Sequence, residues 1–404
     1  MSSSDASPLR VLVAGGGVAG LEALLALRDL ASDRVRLTLL TPEAEFAYRP
    51  MAVAVPFARG RVQRHRLEDI ARAVGAEFVR GELAEVDDGE RSAVTVDGST
   101  LSFDALLVAV GAASEPAYPR VLTWTPELDQ EVFGGLLADL EEGYAKRVAF
   151  VVPPDVAWPL PAYELALMTA WDARDMGQDD VQVTVYTPED APLAIFGTEA
   201  STALQRDLDE AGVRVESGTK VVEDPDAPAR LVAQPGDRRL EAQTLVALPR
   251  AVPRGVGGLK VDDRGFIRTD PHGKVAGTSA VWAAGDAISY PVKQGGLAAQ
   301  QADAAAEAIA ALAGADVTPQ PFRPVLRGVL LTGRGPQWIR REVGPSDEEG
   351  RAERRALWWP PTKIAGRYLA PYLASLDDGQ VGEGGDRPPG QLVEFPLDAA
   401  EPTA

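Results

Sequence analysis

The chain contains no cysteine in its 404 residues. That excludes disulphides, thiolate metal ligands, iron–sulfur clusters and a redox-active thiol pair. Histidine is almost as scarce: His65 and His272 stand far apart, with no companion ligands at metal-site spacing, so no metal centre is expected. Positive charge is in deficit, with 40 Lys and Arg against 60 Asp and Glu and a net charge of -20. A nucleic-acid partner is therefore not expected, because phosphate backbones are bound through clustered Lys and Arg. Long apolar runs are missing too: nothing approaches the roughly 18 residues a spanning helix needs. The opening MSSSDASPLR lacks a basic region followed by an apolar one. The expected location is the cytoplasm. The apolar share of 45% is ordinary for a soluble chain, and the length suits two or three domains.

What is present is a repeating strand–turn–helix–strand grammar. Arg10 to Ala14 reads as a buried strand, Gly15 to Gly20 as a tight turn, Leu21 to Leu30 as an apolar helix and Arg36 to Leu40 as a second strand. Glu77 to Val86, Ala93 to Leu101 and Phe103 to Val110 carry further strand patterns. A second unit opens with the strand VAFVV after Arg147, followed by a proline-rich turn, a helix over Tyr163 to Arg174 and the strand Val181 to Tyr186. A helix over Glu199 to Ala211 leads to a Pro/Asp-rich loop at Asp224 to Pro228. Ser279 to Ala284 reads as an apolar strand returning to the first lobe, and Leu297 to Leu312 as an alanine-rich helix. From Asp377 onward the Gly, Pro and acidic composition predicts a surface or mobile tail.

VLVAGGGVAGLEALLAL places G-x-G-x-x-G at Gly15, Gly17 and Gly20, between a strand and an apolar helix. The first glycine permits the turn, the second lets a pyrophosphate approach the backbone, and the third brings helix and strand together. Val18 and Ala19, at the helix start, offer N–H groups and a positive dipole end to the phosphates. About twenty residues on, where an acid usually meets the adenosine ribose, the chain reads LLTPEAEF. Glu43, after Pro42, is the nearest candidate, and a solvated loop carboxylate is the alternative. Gly285 and Asp286 close another apolar strand. There an aspartate can accept a hydrogen bond from a polyol such as a flavin's ribityl chain.

With these residues in this order the chain resembles the two-dinucleotide-domain flavoproteins related to pyridine nucleotide-disulphide oxidoreductases. The resemblance implies an α/β fold of two Rossmann-like dinucleotide-binding domains, each of three-layer ββα type, plus a C-terminal segment. The expected division is 1–125 and 256–318 for the FAD-binding domain, 126–255 for the second, NAD(P)-like domain, and 319–404 for the C-terminal segment and tail. FAD is the implied cofactor, with NAD(P)H a second candidate. By the same resemblance Ala109, Gly111 and Ala112 in LLVAVGAAS lie near the FAD, and Leu83 near its adenine.

Within that group the chain looks most like the branch of sulfide:quinone oxidoreductases, flavocytochrome c sulfide dehydrogenases and type II NADH dehydrogenases. FAYRPMAVAVPF makes Arg49 and Pro50 candidates to line the flavin, while PAYELALM and TPEDAPLAIFG resemble the sulfide:quinone version of the second lobe. PVKQGGLAAQQ resembles the segment that brings a helix N-terminus to the flavin pyrimidine. The N–H groups around Gly295, Gly296 and Leu297, after Gln294, would then favour negative charge at flavin N1 and O2. Lys293 would add a full charge and is one candidate catalytic residue; a glycine turn with a solvated lysine is the plain alternative. Glu164 is the other, at the position where the NADH dehydrogenases carry a glutamate near the nicotinamide. A helix-surface or interlobe carboxylate explains it equally well.

The departures from that branch matter. Sulfide:quinone oxidoreductases work through cysteines, and here Trp158 stands near where the second-lobe cysteine is expected. Pro153, Pro154, Pro159 and Pro161 fill the turn where phosphates need free N–H groups, so ordinary pyrophosphate binding by the second lobe looks damaged. The expected function is an FAD-dependent oxidoreductase passing electrons through flavin N5 to or from a quinone. Alternatives are an NAD(P)H-dependent reductase with a protein or small-molecule acceptor, and a non-enzymatic flavoprotein subunit or redox sensor. In WWPPTKIAGRYLAPYLASL, Ile364, Tyr368, Tyr372 and Leu376 repeat at helical spacing beside Leu369 and Leu373. That stripe suits a lid over the flavin domain. It also suits a peripheral contact with the inner face of a membrane, with Trp358, Trp359, Lys363 and Arg367 as an interfacial belt and Pro371 breaking or ending the helix.

Overall fold

The structure is a computed structural model and describes residues 7–126, 130–224, 226–344, 350–377 and 391–394. The tail expected to be mobile falls mostly at 378–390 and 395–404, outside the described residues.

From the N-terminus, β1 (Leu9–Ala14) runs into α1 (Val18–Ala31), β2 (Val35–Thr41), α2 (Leu67–Ala73), β3 (Glu77–Arg80) and β4 (Ala105–Val108). The second lobe contributes β5 (Leu122–Thr123), α3 (Gln130–Glu141), β6 (Arg147–Val151), α4 (Leu160–Asp175), β7 (Gln182–Tyr186), α5 (Thr198–Ala211), β8 (Arg214–Glu216) and β9 (Thr244–Ala247). The chain then returns through β10 (Val281–Ala283) and α6 (Gly295–Leu312) before ending in β11 (Val325–Leu331), β12 (Pro336–Glu342), β13 (Arg351–Glu353) and α7 (Leu369–Asp377).

Two five-stranded sheets follow, each parallel throughout its pairings. Their orders are β10-β4-β1-β2-β3 and β5-β9-β6-β7-β8. The strand at 281–283 therefore belongs to the first sheet, as its apolar sequence suggests. Each sheet has an antiparallel three-stranded companion: Leu83–Asp87, Ser92–Thr95 and Thr100–Ser102 beside the first, and Lys220–Asp224, Ala227–Gln234 and Arg238–Arg239 beside the second. These supply the third layer. They also correct two readings: 77–86 and 93–101 are each broken into two strands, and strand runs to both sides of 225 where a loop was expected.

Helix α1 explains how the first lobe is held together. Leu21, Leu24, Leu25 and Leu27 are all at most 2% exposed, and every residue from 19 to 27 is buried, so the helix is enclosed all round over that stretch. Such a helix must be covered on every side. The sheet covers one face and α6 another; α7 closes part of the rest. The alanines of α6, among them Ala298, Ala302, Ala305 and Ala306, are buried and short enough to let the two helices approach closely.

The C-terminal segment packs inward. Ile364, Tyr368, Leu369, Tyr372 and Leu373 join the first-lobe core, so the apolar stripe is a lid over that domain. The interfacial belt is corrected: Trp358 is fully buried against Trp338, with ring centroids 4.6 Å apart, and the Lys363 side chain is only 8% exposed. Trp359, at 56% exposure, is the aromatic of that group left on the surface. Pro371 neither breaks nor ends the helix; it sits in the first turn of α7, where no intrahelical N–H bond is lost. Among the described residues no helix is long and apolar enough to cross a membrane.

Replacing Trp358 by Ala should therefore cost about 3–5 kcal/mol, read as a lower urea midpoint. Trp359→Ala should stay within about 0.5 kcal/mol; equal effects of the two would contradict this packing.

Candidate functional site

The two glycines flanking the first turn are fixed by contact. Gly15 has φ +126°, and a Cβ there would lie 2.1 Å from the Ala109 carbonyl oxygen. A Cβ on Gly20 would lie 1.8 Å from the Gly15 carbonyl oxygen. No side chain fits either place. Gly17 differs, because a Cβ would meet nothing within 4 Å. It caps α1 without any side-chain hydrogen bond, leaving the first N–H groups of that helix directed at open space.

That space is a cavity of about 400 Å³, within the range of small-molecule and cofactor sites. It opens at the carboxyl ends of β1, β2 and β4, where the strand order of the first sheet reverses. Gly15, Gly17, Val18, Ala19, Pro42, Glu43, Arg49, Pro50, Leu83, Ala109, Gly111, Ala112, Gly285, Asp286, Lys293 and Gln294 all line it, with Glu164 facing them from the second lobe. Glu43 is not a loose loop carboxylate, since the Thr41 hydroxyl donates to it at 2.6 Å.

Three expected contacts lie behind the wall. Gly20 supports the turn from beneath. Gly296 is screened by the Gln294 side chain, to which a Cβ would come within 3.0 Å. Leu297 is fully buried, and its N–H donates to Gln294 Oε1 at 2.8 Å. The first turn of α6 is thus partly capped by its own sequence, and only Gly295 and Gly296 keep N–H groups with no protein acceptor among the described residues.

Lys293 also differs from expectation. Its ammonium donates to the Ile288 carbonyl and lies 3.9 Å from the Phe266 ring centroid. Burial lowers its pKa to about 8, with Asp286 opposing. Burial raises Asp286, with Lys293 opposing. The lysine is a wall of the site anchored beside Asp286, with two further partners of its own.

Glu164 occupies the centre of the lobe interface. It is 1% exposed, and its Oε1 accepts from the Leu331 N–H at 2.8 Å and from Lys363 Nζ at 2.6 Å. Its Oε2 is buried with no partner among the described residues. Burial raises the Glu164 pKa and Lys363 pulls it back. Lys363 was missed as a site residue because an amphipathic pattern around it suggested a membrane face. The segment is instead anchored over the cleft, where Ile364 donates its N–H to Tyr48 Oη at 2.8 Å.

The second lobe repeats the first in sequence and departs in detail. Thr187, Pro188 and Glu189 directly follow β7, much as Thr41 closes β2 and Pro42 and Glu43 follow it. Glu189 is taken: Tyr163 Oη donates to it at 2.6 Å and the Thr187 hydroxyl at 3.1 Å. Burial raises its pKa, and these donors oppose. Between β6 and α4 the turn 152–159 carries three of the four prolines, and Trp158 reaches the first-lobe cavity.

Among the described residues no cluster of three His, Asp or Glu side chains is arranged to hold a metal. A family profile for pyridine nucleotide-disulphide oxidoreductases matches residues 163–309. The ferredoxin reductase component of chlorobenzene dioxygenase from Cupriavidus sp. (strain PS12) is 26% identical over 315 residues, covering 71% of this chain and 68% of that one. The structure of the sulfide:quinone oxidoreductase from Aquifex aeolicus aligns with a TM-score of 0.71 at 18% identity, over 85% of this chain and 86% of that one. A ferredoxin reductase from Rhodopseudomonas palustris gives 0.62 at 19% identity, over 84% of each.

Gly17 and Gly20 offer a test of this geometry. Gly17→Ala should fold with an unchanged melting midpoint yet retain less flavin, read from visible absorbance per protein. Gly20→Ala should lose both. Full flavin content in Gly17→Ala would show that the open space beside this glycine is not where the ligand lies.

Proposed function

The chain is a pyridine nucleotide-disulphide oxidoreductase-like flavoprotein, an FAD-dependent oxidoreductase without a redox cysteine, and on that premise we propose that it exchanges electrons with a quinone at the interlobe cleft. FAD, when bound, supplies hydride or electron transfer through its N5 atom. The residues present suit that group: α1 presents uncapped N–H groups for a pyrophosphate, Glu43 stands ready for a ribose, and Asp286 for a polyol. On this reading the first lobe binds and orients, while the interface carries the exchange.

One observation carries the choice of acceptor. The second lobe's counterpart of Glu43 is occupied by Tyr163, so the lobe has filled with its own side chain a place where a nicotinamide dinucleotide's ribose would be held. What stays open is the mouth between Trp158, Glu164, Val329, Lys363 and Ile364. It pairs apolar walls with one buried acid and one buried base, which suits a flat, largely apolar molecule whose two oxygens must gain or lose protons. Lys363 would donate to a developing oxyanion, and the Glu164 carboxylate would hold the ammonium in place for it. Sulfide chemistry through a protein thiol has no residue to run on.

A second reading keeps NAD(P)H as donor and a small redox protein as acceptor. The ferredoxin reductase component supports it, since the match covers two thirds or more of both chains. Any peripheral membrane contact would rest on Trp359 in place of a full aromatic belt.

Anaerobic mixing separates these readings. Photoreduced protein should be reoxidised by a soluble quinone within a single turnover, while NADH and NADPH leave the oxidised flavin unbleached. Bleaching by either nucleotide, with no reaction towards quinone, would establish the second reading instead. The double variant Glu164→Gln, Lys363→Met should slow quinone reoxidation by about 10²-fold or more while retaining its flavin.

A further inference from the structure

Away from the cleft, Glu22 sits in the middle of apolar α1 and is fully buried. It meets the start of the C-terminal helix: the N–H groups of Tyr368 and Leu369 donate to its two oxygens at 2.7 and 2.9 Å. Gly366 has no room for a side chain there, because a Cβ would lie 2.4 Å from Glu22 Oε2. From α6, which packs along α1, Asp303 neighbours Glu22 closely enough for each carboxyl to perturb the other. The C-terminal segment that begins with Lys363 and Ile364 is thus gripped further along by the buried Glu22 carboxyl, beside which stands the half-buried Asp303 with its Oδ1 enclosed. We propose that Asp303 is a neutral acid donating its proton to the Glu22 carboxylate, and that this one-proton pair is a positioning device which docks the C-terminal segment and holds Lys363 against the cleft.

The assignment of the proton follows from the partners. Both Glu22 oxygens already accept backbone N–H bonds, which favours the charged form on Glu22. Asp303 Oδ1 is buried with no donor. A neutral carboxyl's carbonyl oxygen tolerates that far better than a carboxylate oxygen. Two adjacent buried charges of one sign cannot both persist, so the pair keeps a proton and titrates as a unit.

The surroundings do little to relieve it. Among the described residues, the cation whose field reaches the pair is Arg367, which is 42% exposed and lies 3.6 Å from Glu307 on α6. Glu307 and Asp29 add negative charge nearby, and the Tyr368 hydroxyl is buried without a partner. Burial, then the charge of Glu22, raises Asp303 well above the ordinary carboxylate range. Burial also raises Glu22, against its N–H donors. Both folded values lie above the unfolded ones, so the folded state binds more protons, and docking weakens as pH rises through the raised values. The proton leaves to solvent, and the two like charges then left on α1 and α6 repel, which weakens the packing on which the Tyr368 and Leu369 hydrogen bonds rest.

Two measurements test this, and both hold whether or not the acceptor is a quinone. Infrared spectra at neutral pH should show the carbonyl stretch of a protonated carboxylic acid, absent in Asp303→Asn. Amide exchange over 363–377, corrected for intrinsic rate, should lose protection by up to about tenfold per pH unit once the pair titrates. Asp303→Asn keeps a hydrogen-bond donor and carries no titrating proton, so its protection should stay high and flat. A wild-type spectrum without the acid band, as a metal cation between two carboxylates would give, overturns the assignment. Wild-type protection that is flat with pH, or an Asp303→Asn decline matching wild type, overturns the positioning role.

Discussion

The structure depends on one helix being covered from every side. Because residues 19–27 of α1 are all buried, around its whole circumference, the sheet alone cannot cover it. It therefore recruits α6 from residues almost 300 positions away and α7 from later still. This packing brings the three parts of the cavity together: the Gly15–Gly20 turn at the head of α1, the Asp286–Gln294 wall leading into α6, and the Lys363–Ile364 edge leading into α7. The cofactor site is a by-product of how one helix is buried. Its single polar interior residue, Glu22, is tolerable only because α7 arrives with two N–H donors.

Much of this is legible in the chain itself, for definite reasons. A position where a Cβ would lie 2.1 or 1.8 Å from a carbonyl oxygen leaves no other residue possible, so Gly15 and Gly20 announce themselves at fixed spacing. A strand buried on both faces must read as an apolar run, so β1, β4, β6 and β10 stand out. The parallel order of strands follows once the units are seen, since a crossover helix leaves little choice.

The residues that escaped are those defined by partners distant in sequence. Lys363 pairs with Glu164 across 199 positions, and Glu22 meets Tyr368 across 346. No local pattern marks either. In an amphipathic segment a lysine beside tryptophans reads as a membrane flank, while the same lysine facing a buried carboxylate is an interior ion pair. Helical spacing reveals that the stripe from Ile364 to Leu376 has an apolar side and is silent on what covers it. The first turn of α6 shows a subtler loss: Gln294 is one residue from the glycines credited with the free N–H groups, and its side chain takes one of them.

The relation between the lobes sets the direction of specialisation. Both carry Thr-Pro-Glu at the carboxyl end of a strand, β2 or β7, and in both the threonine hydroxyl holds the glutamate, at 2.6 Å in the first and 3.1 Å in the second. The difference lies in what the following helix brings. In the first lobe α1 begins directly after the glycine turn and leaves Glu43 on an open cavity. In the second, a longer proline-filled turn delays α4 until Leu160, and its first turn sends Tyr163 onto Glu189. An aromatic hydroxyl on a buried acid costs little, since each satisfies the other. The same helix then offers Glu164, the very next residue, to the opposite face. A single turn of α4 thus sets Tyr163 on Glu189 within its own lobe and Glu164 on Lys363 of the C-terminal segment.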